Sequence, residues 1–412
     1  MTDTDLPTPE LEPEVAAGGI SVIVREWWDN VRSGEIGSMP IVVALVLITA
    51  FFYERNSNFV GATNFNNLIT QMAGVTTIAF GVVFVLLLGE IDLSVGYISG
   101  LAGVTVAEMQ LAGSSHQVPG IVAILLAVVV GVAIGAFQGS FVSFLGVPSF
   151  VVTLAGNLAW QGVILYSLPQ GVIVIQDNTI NNVTNYFFSA TAGWIIGIAA
   201  AAFYAAIVLA GIFSRRKHGI PVGNLPLAFA RIAGVTLVSL LIVYKSNTDP
   251  RRGLPFAAVL IVVLLAIWTF VAGRTTFGRH VYAVGGSPEA ARRAGINVTR
   301  IRLIVFMISG GMAALGGVVF ASRLRSVDLN AGGGTILLDA IATAVIGGVS
   351  LFGGRGHVKA AVLGSLVIAM IANGIDLVGY SSATKFVVTG AILLAAVTLD
   401  TFSRRRLQAS GR

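Results

Sequence analysis

The sequence contains no cysteine among its 412 residues, which removes disulfide frameworks, thiolate metal sites and cysteine nucleophiles from consideration. Charge is also scarce: Asp, Glu, Lys and Arg make up 11% of the chain, against roughly 25% in an ordinary soluble domain. With 55% of the residues hydrophobic, a water-soluble enzyme is excluded. The four histidines, His116, His218, His280 and His357, lie far apart and none opens a His-Glu-x-x-His run. No Gly-x-Ser-x-Gly motif occurs, and no carboxylate pair has the spacing of a hydrolytic site. None of the four lysines (Lys217, Lys245, Lys359, Lys385) follows a glycine, so the Gly-Lys-Ser/Thr end of a Walker A phosphate loop is missing.

What the chain has in abundance is long apolar runs, recurring from Met39 to Thr401. Runs such as that over 121–130 are apolar on every face, unlike the alternating strands of an outer-membrane barrel. The expected fold is therefore all-α: a polytopic membrane protein of about twelve transmembrane helices, starting near Met39, Leu68, Gly96, Pro119, Pro148, Trp194, Leu225, Pro255, Ile301, Ile336, Lys359 and Thr384. Residues 1–38 form an acidic N-terminal tail, with eight acids against two arginines, and lack the pattern of a cleaved signal. The transmembrane body spans 39–402 and a basic tail covers 403–412. Within the body, 194–250 reads as a two-helix insert and 279–300 as a cytoplasmic loop. Placing both termini in the cytoplasm puts 17 of the 25 Lys and Arg on that side and 7 outside. Lipid contact accounts for the net charge of +6 without nucleic acid.

Glycine is plentiful, at 49 residues. Gly131, Gly135 and Gly139 recur every fourth residue, as do the pairs Gly96/Gly100 and Gly193/Gly197, and such rows let helices approach closely in lipid.

Several stretches carry functional signal. Gly285-Gly-Ser-Pro-Glu-Ala-Ala-Arg-Arg-Ala-Gly-Ile-Asn297 reads as a short capped helix. Ser287 caps its first amides, Pro288 suits the first turn, Glu289 complements the positive end and Gly295 stops it. Its small residues Ala290, Ala291 and Ala294 suit either the close approach of another protein or a membrane-surface helix held by Arg292, Arg293 and Arg300. Asn157, Trp160 and Gln161 share one helical face and present amides and an indole N–H suited to sugar hydroxyls or to interhelical hydrogen bonds. Asn373 and Asp376 form a similar pair. Glu90 and Asp92 are costly in so apolar a setting, and either line a path or serve as a helix cap and an interfacial charge. The loop Gly89–Gly96 corresponds to Gly347–Gly354 at an offset of 258, which suggests an internal repeat with broken helices.

Four segments together resemble permeases of ATP-binding-cassette (ABC) importers, in the ribose, xylose, arabinose and galactoside branch. They are Glu289-Ala-Ala-x-x-x-Gly295, similar to the coupling-helix motif; Gly89-Glu-Ile-Asp-Leu-Ser-Val-Gly96; Pro148-Ser-Phe-Val-Val-Thr-Leu154; and Leu338-Asp-Ala-Ile-Ala-Thr-Ala-Val-Ile-Gly-Gly-Val-Ser-Leu-Phe-Gly-Gly-Arg-Gly356. The chain departs from the sugar-permease pattern at Gln161, where an arginine is common, and at Thr153-Leu-Ala-Gly156. The insert makes its length similar to xylose-type permeases. The resemblance implies a homodimeric inner-membrane permease subunit, not an enzyme. It would pass a monosaccharide, xylose favoured, from a periplasmic binding protein to the cytoplasm, powered by a separate ATPase that binds ATP and Mg; this chain itself carries no cofactor. Expected ATPase-coupling residues are Ser287, Glu289, Ala290, Ala291, Ala294 and Gly295. Glu90, Asp92, Ser94, Asn157, Trp160, Gln161, Asn373 and Asp376 are expected along the sugar path. The competing expectation is an ion-coupled secondary transporter that uses a membrane carboxylate.

Overall fold

The computed structural model describes residues 39–111, 117–169 and 171–409; the acidic tail 1–38 and His116 lie outside the described residues. Five helices come first, α1 (Met39–Arg55), α2 (Ala62–Leu87), α3 (Val95–Glu108), α4 (Gly120–Ser143) and α5 (Ser149–Ser167). A short strand β1 (Val172–Val174) and helix α6 (Asn178–Asn185) lead to α7 (Ala190–Lys217), α8 (Leu225–Asn247) and α9 (Phe256–Arg274). Two short helices, α10 (Thr276–Gly286) and α11 (Pro288–Arg293), precede α12 (Val298–Leu324), β2 (Ser326–Asp328), α13 (Ile336–Ile346), α14 (Ala360–Val378) and α15 (Ser382–Ala409). The helix α15 runs through most of the basic 403–412 segment, which is thus largely a continuation of the last span.

Every expected span start falls inside a helix or, at Pro119, Pro148, Pro255 and Lys359, on the residue just before one, but the spans are unequal. Among the described residues eight helices are long and apolar enough to cross a membrane, namely α2, α4, α5, α7, α8, α9, α12 and α14. At 14 and 11 residues, α3 and α13 reach only about 21 and 17 Å, short of the roughly 30 Å hydrocarbon layer. Both are continued by irregular chain. Arg325, in the left-handed region at φ 55°, ends α12 and turns the chain into β2, which pairs antiparallel with β1. The glycine-rich run that follows then packs against α3: the carbonyl oxygens of Gly332 and Ala331 occupy the space that side chains on Gly96 and Gly100 would need. Those two glycines therefore seat a non-helical backbone rather than a neighbouring helix, and Gly332 is buried at the contact.

At the centre stands α12, packed against α4, α2 and α3. Gly131 and Gly135 of α4 lie directly on the backbone of α12 at Gly310 and Phe306, and Gly139 sits against the Phe306 side chain. Phe306 is fully buried. Here the small-residue row does what its spacing suggests, bringing two backbones together so that dispersion contacts replace the hydrophobic drive absent in lipid. The insert helices α7 and α8 pack mainly on each other, with Val243 lodged in the space left by Gly197.

The bundle has two distinguishable ends. At the near end the C-terminus of α2, the N-terminus of α5, residues 276–302 and the loop 347–356 meet. The far end holds β1, β2, α6, the Asn56 side chain bonded to Leu377 O and the bridge between Phe187 and Pro255.

Candidate functional site

The near end is organised by α10 and α11. Thr275 caps α10 by accepting from Gly278 N (3.1 Å). Ser287 then caps α11 by accepting from Ala290 N (3.2 Å), Pro288 occupies the first turn, and Gly295 ends the segment at φ 81°. Glu289 accepts a hydrogen bond from Arg292 (2.8 Å) on the exposed surface. Five of the six residues expected to contact an ATPase, Ser287, Glu289, Ala290, Ala294 and Gly295, are exposed. Ala291 is not: at 4% exposure it points inward and belongs to the chain's own core.

Beneath α11 three backbones converge. Gly354 N donates to Leu87 O (2.8 Å). A Cβ on Gly285 would collide with that same Leu87 oxygen and sit 2.8 Å from Gly354 N. Gly89, at φ 75°, faces Phe352 O. The two loops related by the 258-residue offset therefore pack on each other, with the α10–α11 junction laid across both. The Tyr282 hydroxyl donates to Gly356 O (2.9 Å), and burial pushes its pKa up, so it stays a donor. Glu90 lies 3.1 Å from Arg302 Nε, with both side chains mostly buried. The Arg302 N–H is not aligned for a hydrogen bond, so the contact is Coulombic attraction more than a directed bond.

Asp92 turns away from the near end into the bundle. It is 4% exposed, and both carboxylate oxygens are engaged: Oδ1 accepts from Ser94 N (3.0 Å) and Ser94 Oγ (2.6 Å), and Oδ2 accepts from Ser309 Oγ (2.8 Å) of α12. Ser94 Oγ also lies 2.8 Å from the Gln138 amide of α4. The adjoining start of α5 is fastened to the same loop, since Ile91 N donates to Ser149 Oγ and Thr153 Oγ1 donates to Ile91 O.

Further along α5, Asn157, Trp160 and Gln161 are half-buried. Asn157 and Gln161 lie among exposed Leu154, Leu158 and Leu165, whereas the Trp160 indole nitrogen is turned inward and buried. Asn373 is elsewhere. It exchanges hydrogen bonds with Asn64 (2.8 and 3.1 Å) and donates to Gln71 (3.2 Å), bracing α14 against α2. Asp376, three residues on, is exposed at the far end, where its charge acts on Arg323. The structure thus ties Asp92 and Ser94 to Gln138 of α4 and Ser309 of α12, leaves Glu90 with the near-end arginine, and separates Asn373 from Asp376. Sequence reasoning missed Gln138, Ser309, Arg302 and Asn64. Gln138 alone offered a signal, being the one amide in α4, whose other polar residues are Ser140 and Ser143 near its end. Among the described residues no group of three or more His, Asp or Glu is placed to hold a metal ion.

A family model described as "Branched-chain amino acid transport system / permease component" matches residues 64–397. The chain is 36% identical over 373 residues to a xylose transport system permease protein, XylH, of Haemophilus influenzae, covering 89% of this chain and 96% of that protein. It is 35% identical to XylH of Escherichia coli, with 92% and 95% covered, and 32% identical to the ribose import permease protein RbsC of Bacillus subtilis, with 89% and 92% covered. No solved structure matches it.

Proposed function

The chain belongs to the family of branched-chain amino acid transport system permease components, and we infer that it is the multi-pass inner-membrane permease subunit of an ABC importer that carries a monosaccharide, with xylose favoured. It is a transporter component rather than an enzyme, and it works with a separate ATPase and a sugar-binding protein. The observation that carries this reading is the standing of α11. Its exposed residues offer a small-faced docking surface, while Ala291 and Gly285 root it on the junction of two broken-helix loops. A push on α11 from outside is delivered straight to the places where the spans are interrupted.

The ATPase docks on Ser287, Glu289, Ala290, Ala294 and Gly295, and binds the ATP and Mg itself. Residues 274–302 and 355–359, which bring many of the bundle's arginines to the near end, support placing that end, and both chain termini, in the cytoplasm. The binding protein then meets the far end. A second copy covers the exposed face of α5: carboxamides such as Asn157 and Gln161 are costly against lipid tails but acceptable against a partner or along a hydrated sugar path.

Uptake of labelled xylose, ribose and galactose into vesicles tests the reading, with and without the cognate ATPase and binding protein. Uptake that needs both partners and ATP is expected. Uptake by this chain alone, abolished when a proton or Na⁺ gradient is collapsed, would make it a secondary transporter.

A further inference from the structure

The cluster around Gln138 contains a contradiction in hydrogens that leads to a positioning role for that residue. Ser94 has one hydroxyl proton. Its oxygen lies 2.6 Å from Asp92 Oδ1 and 2.8 Å from the Gln138 amide oxygen, and it cannot donate to both. Meanwhile two buried donors nearby have no acceptor, Gln138 Nε2 and Trp160 Nε1. Both flank the same small space: the amide of Gln138 fills the notch left by the missing side chain of Gly156, and Trp160 Nε1 lies 3.2 Å from where that Cβ would be.

Turning the Gln138 amide over resolves all three problems together, since its oxygen and nitrogen are distinguishable only by their partners. Nε2 then donates to Ser94 Oγ, Ser94 Oγ donates to Asp92, and the amide oxygen faces Trp160 Nε1–H. A neutral Asp92 would also free the Ser94 proton, but it would leave two buried N–H groups unpaired, each costing about 1–3 kcal/mol. With the carboxylate ionised and the amide turned, the Ser94 hydroxyl, the Trp160 indole N–H and one of the two Gln138 amide hydrogens each face an acceptor. Gln138 is 2% exposed, with Ser94 and Asp92 similarly enclosed, so bulk water does not reach these partners.

We propose that Gln138 is a positioning residue that links the 88–94 loop to α5, holding Trp160 in register with the loop through the chain Trp160–Gln138–Ser94–Asp92. Ser309 anchors the same carboxylate to α12, the helix that follows α11. Movement imposed at the near end thereby reaches the α5 face carrying Asn157 and Gln161. The coupling half of this proposal rests on the permease reading given above; the hydrogen bond itself does not.

Two measurements on the full protein separate them. In detergent, the indole ¹⁵N–H resonance of Trp160, assigned by its loss in Trp160→Phe, is expected to move in Gln138→Leu, which keeps the bulk of the side chain and removes the acceptor. An unmoved resonance would overturn the bond. In vesicles with the ATPase and binding protein, Gln138→Leu and Trp160→Phe are each expected to lower sugar transported per ATP by about 10-fold, the loss of roughly 1.4 kcal/mol of coupling, with the double variant no worse than either. Gln138→Glu, which retains the acceptor oxygen, is expected to recover part of the resonance shift. Additive losses, or full coupling in Gln138→Leu despite a moved resonance, would overturn the positioning role. If the unaltered complex shows no ATP-dependent uptake, the permease reading and the coupling role fall with it, and the resonance alone decides the bond.

Discussion

Two adjacent glycines at the α10–α11 junction are expected to respond oppositely to the same substitution. A methyl group on Gly285 would collide with Leu87 O and lie 2.8 Å from Gly354 N, well inside the roughly 3.5 Å at which non-bonded heavy atoms rest. Neither neighbour is a flexible side chain. To make room the α10 end must lift away from Leu87 or the Gly354 N–Leu87 O hydrogen bond of 2.8 Å must open. Overpacking of this kind costs about 1–3 kcal/mol and the bond about 1 kcal/mol more, so Gly285→Ala is expected to destabilise the protein by about 2–4 kcal/mol. Gly286, one residue on, has nothing within 4 Å of its hypothetical Cβ. It also ends α10, so Gly286→Ala is expected to be neutral or to stabilise by about 0.5–1 kcal/mol. Neither glycine has a positive φ that would confuse the comparison. Thermal unfolding of the two variants in one detergent, alongside ATP-dependent uptake in vesicles, reads the difference. Equal stability and equal uptake would refute the reasoning that three backbones meet under Gly285.

Ala291 and Ala294 part in a different way: Ala291→Leu should lower thermal stability by about 1–3 kcal/mol because its site is filled, whereas Ala294→Trp should leave stability unchanged and reduce binding of the ATPase in pull-down. Removing one partner of the Glu90–Arg302 pair should cost about 1–3 kcal/mol, below the value for a fully buried pair because both side chains keep some water; the exchange Glu90→Arg with Arg302→Glu should restore part of it in a double-mutant cycle. Asn373→Leu removes both of its hydrogen bonds with Asn64 in a buried site and should cost about 1–3 kcal/mol in the melting curve, while adding Asn64→Leu should return only part of it, because Asn64 also holds Phe59 O and Asn373 also holds Gln71.

The parts of the molecule legible in the sequence are those fixed by local chemistry. Apolar runs located the helices, eight of them among the described residues long and apolar enough to cross, because hydropathy over some twenty residues answers to the bilayer directly; they did not show that segments such as α3 and α13 stop short of a full span. The caps of α11 followed from Ser287, Pro288 and Gly295 for the same reason: a cap bonds to amides two or three residues away. The row Gly131, Gly135, Gly139 announced a close helix contact, although not with which helix. The inward face of Ala291 was hidden, since a six-residue helix is too short for its periodicity to reveal a buried side.

Sequence alone determined a polytopic helical membrane protein with a capped surface helix and glycine rows, and it suggested a correspondence between two glycine-bounded loops. Only the tertiary structure decided that those loops press on each other beneath Gly285, that Gly96 and Gly100 seat an irregular backbone, and that Asp92 draws its partners from Ser309 and, through Ser94, from Gln138. Those last contacts join residues 217 and 44 positions apart. Their existence depends on the depth and rotation at which whole helices settle against one another, quantities set by the sum of packing contacts across the bundle and written in no single stretch of chain.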